Sequence, residues 1–407
     1  MVADSKLTSS QTFPLQKKYH SAEYLRTMPH MRTRTPFNAL MLRFRARCIA
    51  QLTEFFAAKD FVQTHPPIIT SSDCEGAGEV FHIATGGMKR ASIAPVSNHD
   101  VDTEDGAFFR SPKYLTVSSQ LHLEALAQSV GKVWTLSPTF RAEKSDTSRH
   151  LSEFYMLEAE VCFIDHLEGV MTFVEEMLRN LTHTIYDNRI GREIIYGRRT
   201  GESGVEAQQI ELSEELERRW QGMMSGSWPR ITYADALNVL HESGERFDHP
   251  VTWGMGLQAE HERFIATNVG KGQPVFVTNY PQKLKPFYML PSDGNSASDS
   301  TVECFDLLVP EVCEIAGGSM REHRLPQLLE TMQSHGLVAQ YTAERPGSYP
   351  SDEDLGTLKW YVDLRRWGSV PHGGFGLGFD RLLGYLAGVQ NIREVVAFPR
   401  WVGRCDC

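Results

Sequence analysis

The sequence predicts an α+β fold in which helices flank an antiparallel β-sheet. Apolar runs of strand length recur along the chain, and helical patterns and long loops separate them. This order lacks the regular alternation of strand and helix that is typical of a parallel sheet. With 407 residues, of which 41% are hydrophobic and 23% charged, the chain is long enough for one large domain or two.

The first strong pattern is a long helix. Apolar residues recur at steps of three and four between Phe37 and Lys59. An extended run follows from Phe61 to Ile69, and Pro66-Pro67 interrupts it, which is typical of an edge or interface strand. We expect a homodimer surface along this helix and strand, although packing within the core of one chain would produce the same pattern.

The remaining elements follow one another irregularly. The pattern predicts strands at 114–117, 274–280 and 302–309, helices at 121–130, 231–240 and 325–335, helical ends to the segment 165–220, and a strand–turn–helix at 372–389. The polar and then basic residues 1–35 predict a disordered start and a hinge. We expect one large domain to follow at 36–407, with a helical insertion at roughly 165–260.

The composition limits the partners and the compartment. A net charge of −10 argues against a dedicated nucleic-acid binder, because neutralising phosphates requires concentrated Lys and Arg. No uncharged apolar run approaches the ~18 residues of a membrane span, and the N-terminus lacks a signal or transit pattern. The seven cysteines are scattered without a Cys-x2-Cys pair, which predicts a reduced, cytoplasmic protein.

The segment 140–163 contains the first candidate site. Arg141 and Glu143 would share one face of an extended chain, and the same period places four later side chains on one face: Phe154, Met156, Glu158 and Glu160. The loop between the two runs carries Lys144, Arg149 and His150. Such a hairpin would suit a nucleotide triphosphate. An ordinary hairpin with solvated charges is the alternative.

Two further clusters favour a nucleotide site. Glycines at 374, 376 and 378 remove side chains from a predicted strand, so a flat base could lie against the backbone. Arg381 follows one turn on, where it could stack on the base or reach a phosphate. Asp306 and Glu314 are carboxylates of the kind that hold Mg²⁺ near phosphates, although solvated acids at a strand end would look the same.

Together these clusters resemble the signatures of class II aminoacyl-tRNA synthetases, and within them the asparaginyl branch. Three segments are similar to the class signatures: the long helix with Pro67 to the first, Arg141-x-Glu143 with Arg149-His150-Leu151-x-Glu153-Phe154 to the second, and Gly376-Leu377-Gly378-x-x-Arg381 to the third. Matches to the asparaginyl branch are PLQKK at 14–18, SDCEGAGE at 72–79, VFVTNYP at 275–281, GGSMRE at 317–322 and NIREVVAFPR at 391–400. The resemblance covers residues 13–407. It implies that residues 36–407 are a catalytic domain with the class II antiparallel sheet flanked by helices.

The resemblance implies ATP and Mg²⁺ as cofactors, with Arg141 and Arg381 as catalytic residues. The α-phosphate would lie at Arg141, and the adenine would lie between Phe154 and Arg381 and against the strand of Gly376 and Gly378. Glu143 would read the adenine amino group, and Arg149 and His150 would contact the outer phosphates. Asp306 and Glu314 would be the metal ligands.

The resemblance also implies an amino-acid pocket. Glu75 would hold the α-ammonium group with help from Gln120. Arg321 would donate to the side-chain oxygen, and Glu124 would accept from an amide NH₂. Leu123 stands where the aspartyl branch typically has a lysine, and the charge of Glu124 would repel a carboxylate. Asparagine is therefore favoured over aspartate, because a site that matches an amide rejects a ligand that leaves its polar groups unpaired.

The acceptor of the activated amino acid is less constrained. A full asparaginyl enzyme carries an anticodon-binding barrel before the hinge, and only 12 residues stand there in this sequence. We therefore expect weak tRNA binding or none, with the hinge as a remnant. The first hypothesis is a ligase that forms asparaginyl-adenylate and passes the asparaginyl group to another acceptor, such as a small amine. The alternatives are a tRNA ligase without an anticodon domain, an asparagine synthetase-like enzyme that amidates aspartate with ammonia, and a catalytically silent paralogue.

Overall fold

The structure, a computed structural model, contains one large sheet with helices on both faces. It describes residues 14–15, 18, 20–71, 80–84, 108–109, 111–197, 206–292, 300–338 and 350–407. The strands are β1 Val62–Gln63, β2 Ile69–Thr70, β3 Tyr114–Leu115, β4 Lys132–Phe140, β5 Glu153–Cys162, β6 Arg230–Thr232, β7 Val275–Thr278, β8 Cys304–Val309, β9 Cys313–Met320 and β10 His372–Gly378. The α-helices are α1 Ala22–Arg26, α2 Pro29–Arg32, α3 Pro36–Ala58, α4 Gln120–Val130, α5 Leu167–Tyr186, α6 Arg189–Tyr196, α7 Glu206–Met224, α8 Tyr233–Glu242, α9 Ala259–Asn268, α10 Leu325–Ser334, α11 Asp352–Leu355, α12 Lys359–Arg366 and α13 Phe379–Ala387.

Eight strands form the central sheet, in the order β1-β4-β5-β10-β9-β8-β7-β6. β1 lies parallel to β4 and β6 lies parallel to β7, and every pair between them is antiparallel. β2 and β3 form a separate antiparallel pair. The predicted α+β class, with an antiparallel sheet flanked by helices, is confirmed.

The inner strands bury both of their faces. In β8, Phe305 and Leu307 join the apolar core that includes α3, α5, α7 and α13, whereas Cys304 and Leu308 face the core built with α8, α9, α10 and α12. This division follows from the two-residue period of a strand. None of the helices in the described ranges is long and apolar enough to cross a membrane.

Helix α3 confirms the first predicted element to within a residue at each end. It begins at Pro36, whose fixed φ suits the first turn of a helix. Phe44, Cys48 and Leu52 on its inner face are fully buried. Phe56 stacks on Trp134 of β4 with 4.5 Å between the ring centroids, so the helix is held against the sheet.

The strands after α3 leave apolar side chains exposed. Val62, Ile68 and Ile69 keep 45%, 38% and 40% of their surface accessible. β1 is an edge strand, because it pairs with β4 on one side only. An exposed apolar edge can pair with another chain. The homodimer stays a prediction.

The hairpin of β4 and β5 differs from the prediction at its open end. Phe140 pairs with Glu153 there, so Arg141 and Glu143 lie in the connecting loop and not on the first strand. The backbone N–H of Arg141 still donates to the carbonyl oxygen of Ser152 (3.0 Å), which holds Arg141 beside the strand. The loop that carries Lys144, Arg149 and His150 is tied to the C-terminal segment, because Arg393 Nη2 donates to Asp146 Oδ1 (2.6 Å).

The basic segment before α3 folds onto the C-terminal part of the chain. Arg26 pairs with Glu394, and Arg32 donates through Nη2 to the carbonyl oxygens of Arg393 (2.6 Å) and Val396 (2.8 Å). Both arginines are buried. These contacts join the segment to the C-terminal part of the chain, and its role as a hinge stays a prediction. The predicted disordered start, residues 1–12, lies outside the described residues.

The segment 165–260 belongs to the same structure as the sheet. Helices α5, α6 and α7 pack in one core with α3 and α13, and β6 is the last strand of the central sheet. The boundaries of a helical insertion and of the domains stay predictions.

Candidate active site

Two adjoining cavities lie over the centre of the sheet. The larger is a cleft of about 470 Å³ between the start of α4, strands β5, β9 and β10, and the segment 283–289. The smaller has a volume of about 120 Å³ and lies under the hairpin loop. Four residues line both cavities: Arg141, Met156, Glu314 and Gly376. Ligands in the two cavities would therefore meet at this shared wall.

Glycines keep the floor of the cleft open. A Cβ atom on Gly376 would lie 2.7 Å from Met156 Cε, and a Cβ atom on Gly317 would lie 3.3 Å from Glu314 Oε1. A Cβ atom on Gly374 would lie only 2.0 Å from Glu160 Oε2. Gly374 therefore makes room for a buried carboxylate, and not for a base as the sequence suggested.

The smaller cavity collects the residues predicted for the nucleotide. Six of them line it together with Gly376: Arg141, Glu143, Arg149, His150, Phe154 and Arg381. Gly378 lines it as well, where its missing side chain leaves room beside Arg381 Cδ.

The charged side chains of the smaller cavity lie close to one another, but Glu143 forms no short ion pair with Arg141 or His150. Glu143 lies between Arg141 and His150, with its carboxylate oxygens 3.9 Å from Arg141 Nη1 and 3.4 Å from His150 Nε2. Arg141 Cζ lies 5.6 Å from the centroid of the Phe154 ring. Burial lowers the pKa of His150 in spite of the nearby Glu143. Arg381 Nη1 donates to the backbone oxygen of Glu314 (2.9 Å), which aims the guanidinium across the cavity.

The far end of the cleft contains a buried ion pair that the sequence did not reveal. Arg321 donates through Nε and Nη2 to the two oxygens of Glu160, at 3.1 Å each, and through Nη1 to Ser319 Oγ (2.5 Å). Burial raises the pKa of Glu160 in spite of the neighbouring Arg321. The sequence had placed Glu160 on the correct face of β5, but nothing in the pattern indicated its partner.

Glu158 is a second buried carboxyl group in the wall of the cleft. Its oxygens accept from Ser118 Oγ (2.5 Å) and from the backbone N–H of Ser119 (3.0 Å), at the start of α4. Burial raises its pKa, although these hydrogen bonds oppose that shift. Glu158 and Glu160 therefore give the wall of the cleft two buried carboxyl groups.

The expected contact between Glu124 and the substrate is wrong. Gln120 and Leu123 line the cleft, but Glu124 is completely buried behind it. Its oxygens already accept from Tyr361 Oη (2.8 and 3.0 Å) and Arg365 Nη2 (2.6 Å), and also from Gln120 and His372. A carboxylate with all of its acceptor sites used has nothing to offer a ligand. Glu75, the residue predicted for the α-ammonium group, lies outside the described residues.

Asp306 and Glu314 fit a magnesium site. Both carboxylates converge on Gly317, since a Cβ atom there would lie 3.4 Å from Asp306 Oδ1 and 3.3 Å from Glu314 Oε1. In the described part of the chain no group of three or more His, Cys, Asp or Glu side chains could hold a metal by itself. Mg²⁺ commonly takes one or two carboxylates and completes its shell with substrate phosphates and water, so two are sufficient here.

Two further charged side chains lie near this pair of carboxylates. Lys285 Nζ lies 2.8 Å from each oxygen of Asp306, so an ammonium group neutralises this carboxylate. Burial, with the negative charges of Glu314 and Asp306, raises the pKa of Glu262 to about 7. Lys285, which lines the cleft, and Glu262 were not predicted as site residues, because neither lies in a recognisable motif.

The sheet, the two cavities and the clustered arginines define a class II synthetase catalytic domain, and the sequence comparison agrees. Residues 21–402 match the family described as tRNA synthetases class II (D, K and N), and the chain belongs to this family. It is therefore an ATP-dependent enzyme of the aminoacyl-tRNA ligase type.

Relatives within the family carry asparagine in their names. The mitochondrial asparagine–tRNA ligase of Saccharomyces cerevisiae is 41% identical over 397 residues, which are 96% of this chain and 74% of that protein. The asparagine–tRNA ligase of Desulfotalea psychrophila is 41% identical over 398 residues, 98% of this chain and 77% of that protein. The crystal structure of asparaginyl-tRNA synthetase from Pyrococcus horikoshii, complexed with asparaginyl-adenylate, is 29% identical with a TM-score of 0.73, and the match covers 95% of this chain and 74% of that one.

Proposed function

We propose that this enzyme activates asparagine with ATP and transfers the asparaginyl group to tRNA. The observation that carries the proposal is the shared wall of the two cavities. A ligand beside Arg381 in the smaller cavity and a ligand beside Arg321 in the cleft would meet at Arg141. Such a meeting point brings an amino-acid carboxylate to a nucleotide α-phosphate, and positioning of this kind can supply a large part of the barrier reduction.

The smaller cavity would hold ATP. Phe154 and Arg381 would enclose the adenine, and Glu143 would accept from its amino group. Arg149 and His150, under the hairpin loop, would contact the outer phosphates. The position of Arg141 on the wall shared by the two cavities supports this assignment, because a guanidinium group binds phosphate oxygens strongly.

The cleft would hold asparagine rather than aspartate. After its bonds to Glu160 and Ser319, Arg321 still has an N–H on each terminal nitrogen to donate to the side-chain oxygen of asparagine. The amide NH₂ then needs an acceptor, which Glu158 or Glu160 can supply. Aspartate would add a negative charge beside these two carboxyl groups. Glu158 and Glu160, and not Glu124, would therefore repel aspartate.

The chemistry needs no nucleophile from the protein. An oxygen of the asparagine carboxylate attacks the α-phosphorus of ATP, the bond to the bridging oxygen of the β-phosphate breaks, and pyrophosphate leaves with the electron pair. Arg141 and Arg381 stabilise the negative charge that develops on the α-phosphate. In the second step a tRNA hydroxyl attacks the acyl carbon and AMP leaves. Mg²⁺ held by Asp306 and Glu314 would neutralise charge on the outer phosphates.

The relatives favour tRNA as the acceptor. The asparagine–tRNA ligases described above align with nearly the whole of this chain. The comparisons give no support to the acceptor other than tRNA that the sequence suggested. We therefore propose tRNA in its place.

Pyrophosphate exchange and tRNA charging, measured side by side, test this proposal. Asparagine should drive ATP–pyrophosphate exchange, with a kcat/KM at least ~100-fold above that for aspartate. Exchange with aspartate alone would contradict the pocket assignment and favour an amidating enzyme, with ammonia as the next substrate to try. Exchange with asparagine but no charging of tRNA would refute the acceptor. No exchange with either amino acid would indicate a silent paralogue.

A further inference from the structure

The orientation of Gln120 is set from behind the cleft. Gln120 is the first residue of α4 and lines the cleft, and its Nε2 lies 3.0 Å from Glu124 Oε1, one turn along the helix. A carboxylate only accepts hydrogen bonds, so the NH₂ end of the Gln120 amide must face Glu124. The carbonyl end of the amide then faces the cleft, and none of the described residues donates a hydrogen bond to Gln120 Oε1.

Glu124 is itself held in one orientation. Tyr361 and Arg365 donate to it, and His372 Nε2 lies 3.1 Å from Oε2. His372 Nδ1 lies 2.7 Å from the carbonyl oxygen of Val370, and this contact holds the ring beside Glu124. Burial alone would raise the pKa of Glu124, but Arg365 and His372 hold it well below its usual range. Glu124 is therefore an ionised acceptor that cannot turn away.

We infer that Glu124 is a positioning residue for the amino acid: it holds the carbonyl oxygen of Gln120 toward the cleft, where that oxygen accepts from the α-ammonium group. The inference rests on the proposed function. An ammonium group carries donors and no acceptor, so it requires an oxygen at this place. A Gln120 amide turned by half a rotation would present NH₂ hydrogens to the ammonium group and repel it.

The substitution Glu124→Gln tests the inference by turning this amide. Tyr361, Arg365 and His372 require an oxygen on their side of position 124, so the new amide points its NH₂ at Gln120. Gln120 then turns its carbonyl to that NH₂ and its own NH₂ to the cleft. The KM for asparagine in pyrophosphate exchange should rise by roughly 10- to 100-fold, the loss of one hydrogen bond to a charged group, while the KM for ATP stays within about twofold.

Exchanging the two side chains provides the rescue. In the double variant Gln120→Glu with Glu124→Gln, the new amide at position 124 donates to a carboxylate at position 120, and that carboxylate presents an oxygen to the ammonium group. The KM for asparagine should return to within about threefold of wild type. The double variant keeps the net charge and the hydrogen bond between positions 120 and 124. Its KM can therefore be measured even where Glu124→Gln alone does not fold. Gln120→Leu, which only removes the oxygen, gives the level of full loss.

Succinamic acid, which is asparagine without its α-amino group, separates positioning from general damage. As a competitive inhibitor it should bind wild type and Glu124→Gln equally well, because neither can use Gln120 to hold it. A merely structural defect would weaken succinamic acid and ATP along with asparagine. An unchanged KM for asparagine in Glu124→Gln, or a double variant as impaired as Gln120→Leu, would overturn the inference while wild-type exchange still stands. A wild-type enzyme that shows no exchange with asparagine would overturn the proposed function, and the inference with it.

Discussion

Removing the guanidinium of Arg321 should cost stability as well as activity. Arg321 and Glu160 are 3% and 1% exposed and share two hydrogen bonds of 3.1 Å. Arg321→Met would leave Glu160 as an uncompensated buried charge, and breaking a buried pair in this way typically costs ~3–5 kcal/mol of unfolding free energy. Arg189→Met is the matched control, because Arg189 pairs with Glu193 at the surface and is 91% exposed. This control should lose ~0.5 kcal/mol or less.

The loss should depend on pH with a definite sign. Burial already raises the pKa of Glu160 in the folded protein, and removing Arg321 removes the neighbour that opposes the shift. A carboxyl group whose folded pKa lies above its unfolded value contributes stability at low pH and loses it as the pH rises through the folded pKa. The deficit of Arg321→Met relative to wild type should therefore be larger at pH 8 than at pH 5.

Urea denaturation followed by circular dichroism at these two pH values measures both effects. Adding Glu160→Gln to Arg321→Met removes the buried charge, so the double variant should recover part of the lost free energy. If Arg321→Met is no less stable than Arg189→Met, or if its loss of unfolding free energy does not grow with pH, then Glu160 is not left as an uncompensated buried charge. Asparagine-dependent exchange should be absent in both the single and the double variant, since neither retains the Arg321 guanidinium.

Three further outcomes are expected. Arg381→Ala should lower kcat/KM for pyrophosphate exchange by at least ~100-fold with an unchanged urea midpoint, and retained exchange would refute the nucleotide site. Glu314→Gln should raise the Mg²⁺ concentration for half-maximal exchange by at least about tenfold, and direct titration with Mn²⁺ should show the same weakening, while an unchanged metal requirement would remove Glu314 from the ligands. Ile69→Glu, which replaces an exposed apolar side chain of β2 with a charge, should convert a dimer into a monomer in light scattering, and a wild-type monomer would contradict the dimer surface.

Local patterns identified the elements that neighbours in the chain build. The three- and four-residue repeat located α3 to within a residue, and the two-residue period of β5 placed Glu158 and Glu160 on one face. Both signals arise from contacts a few residues apart, so they survive in the sequence alone. The loop position of Arg141 was missed because an extended residue beside a strand has the same local pattern as one within it.

The wrong prediction for Glu124 has a physical cause. The resemblance to the family implied a ligand contact for this residue. What the sequence could not show is that Arg365, 241 residues away, arrives at the same oxygens and leaves nothing for the substrate. Arg321 shows the same dependence, since its partner Glu160 is 161 residues distant.

The amino-acid sequence was sufficient to establish the sheet with its helices and the family, because motifs and periods are properties of short stretches. Tertiary packing determined the roles of the carboxylates in and behind the cleft. One carboxylate faces the cleft, and another is paired with an arginine behind its wall. These roles depend on charges that the fold brings together from α4, β5, β9 and α12. Burial decides between these roles, because a buried carboxylate needs a partner from somewhere in the fold, and only folding supplies it.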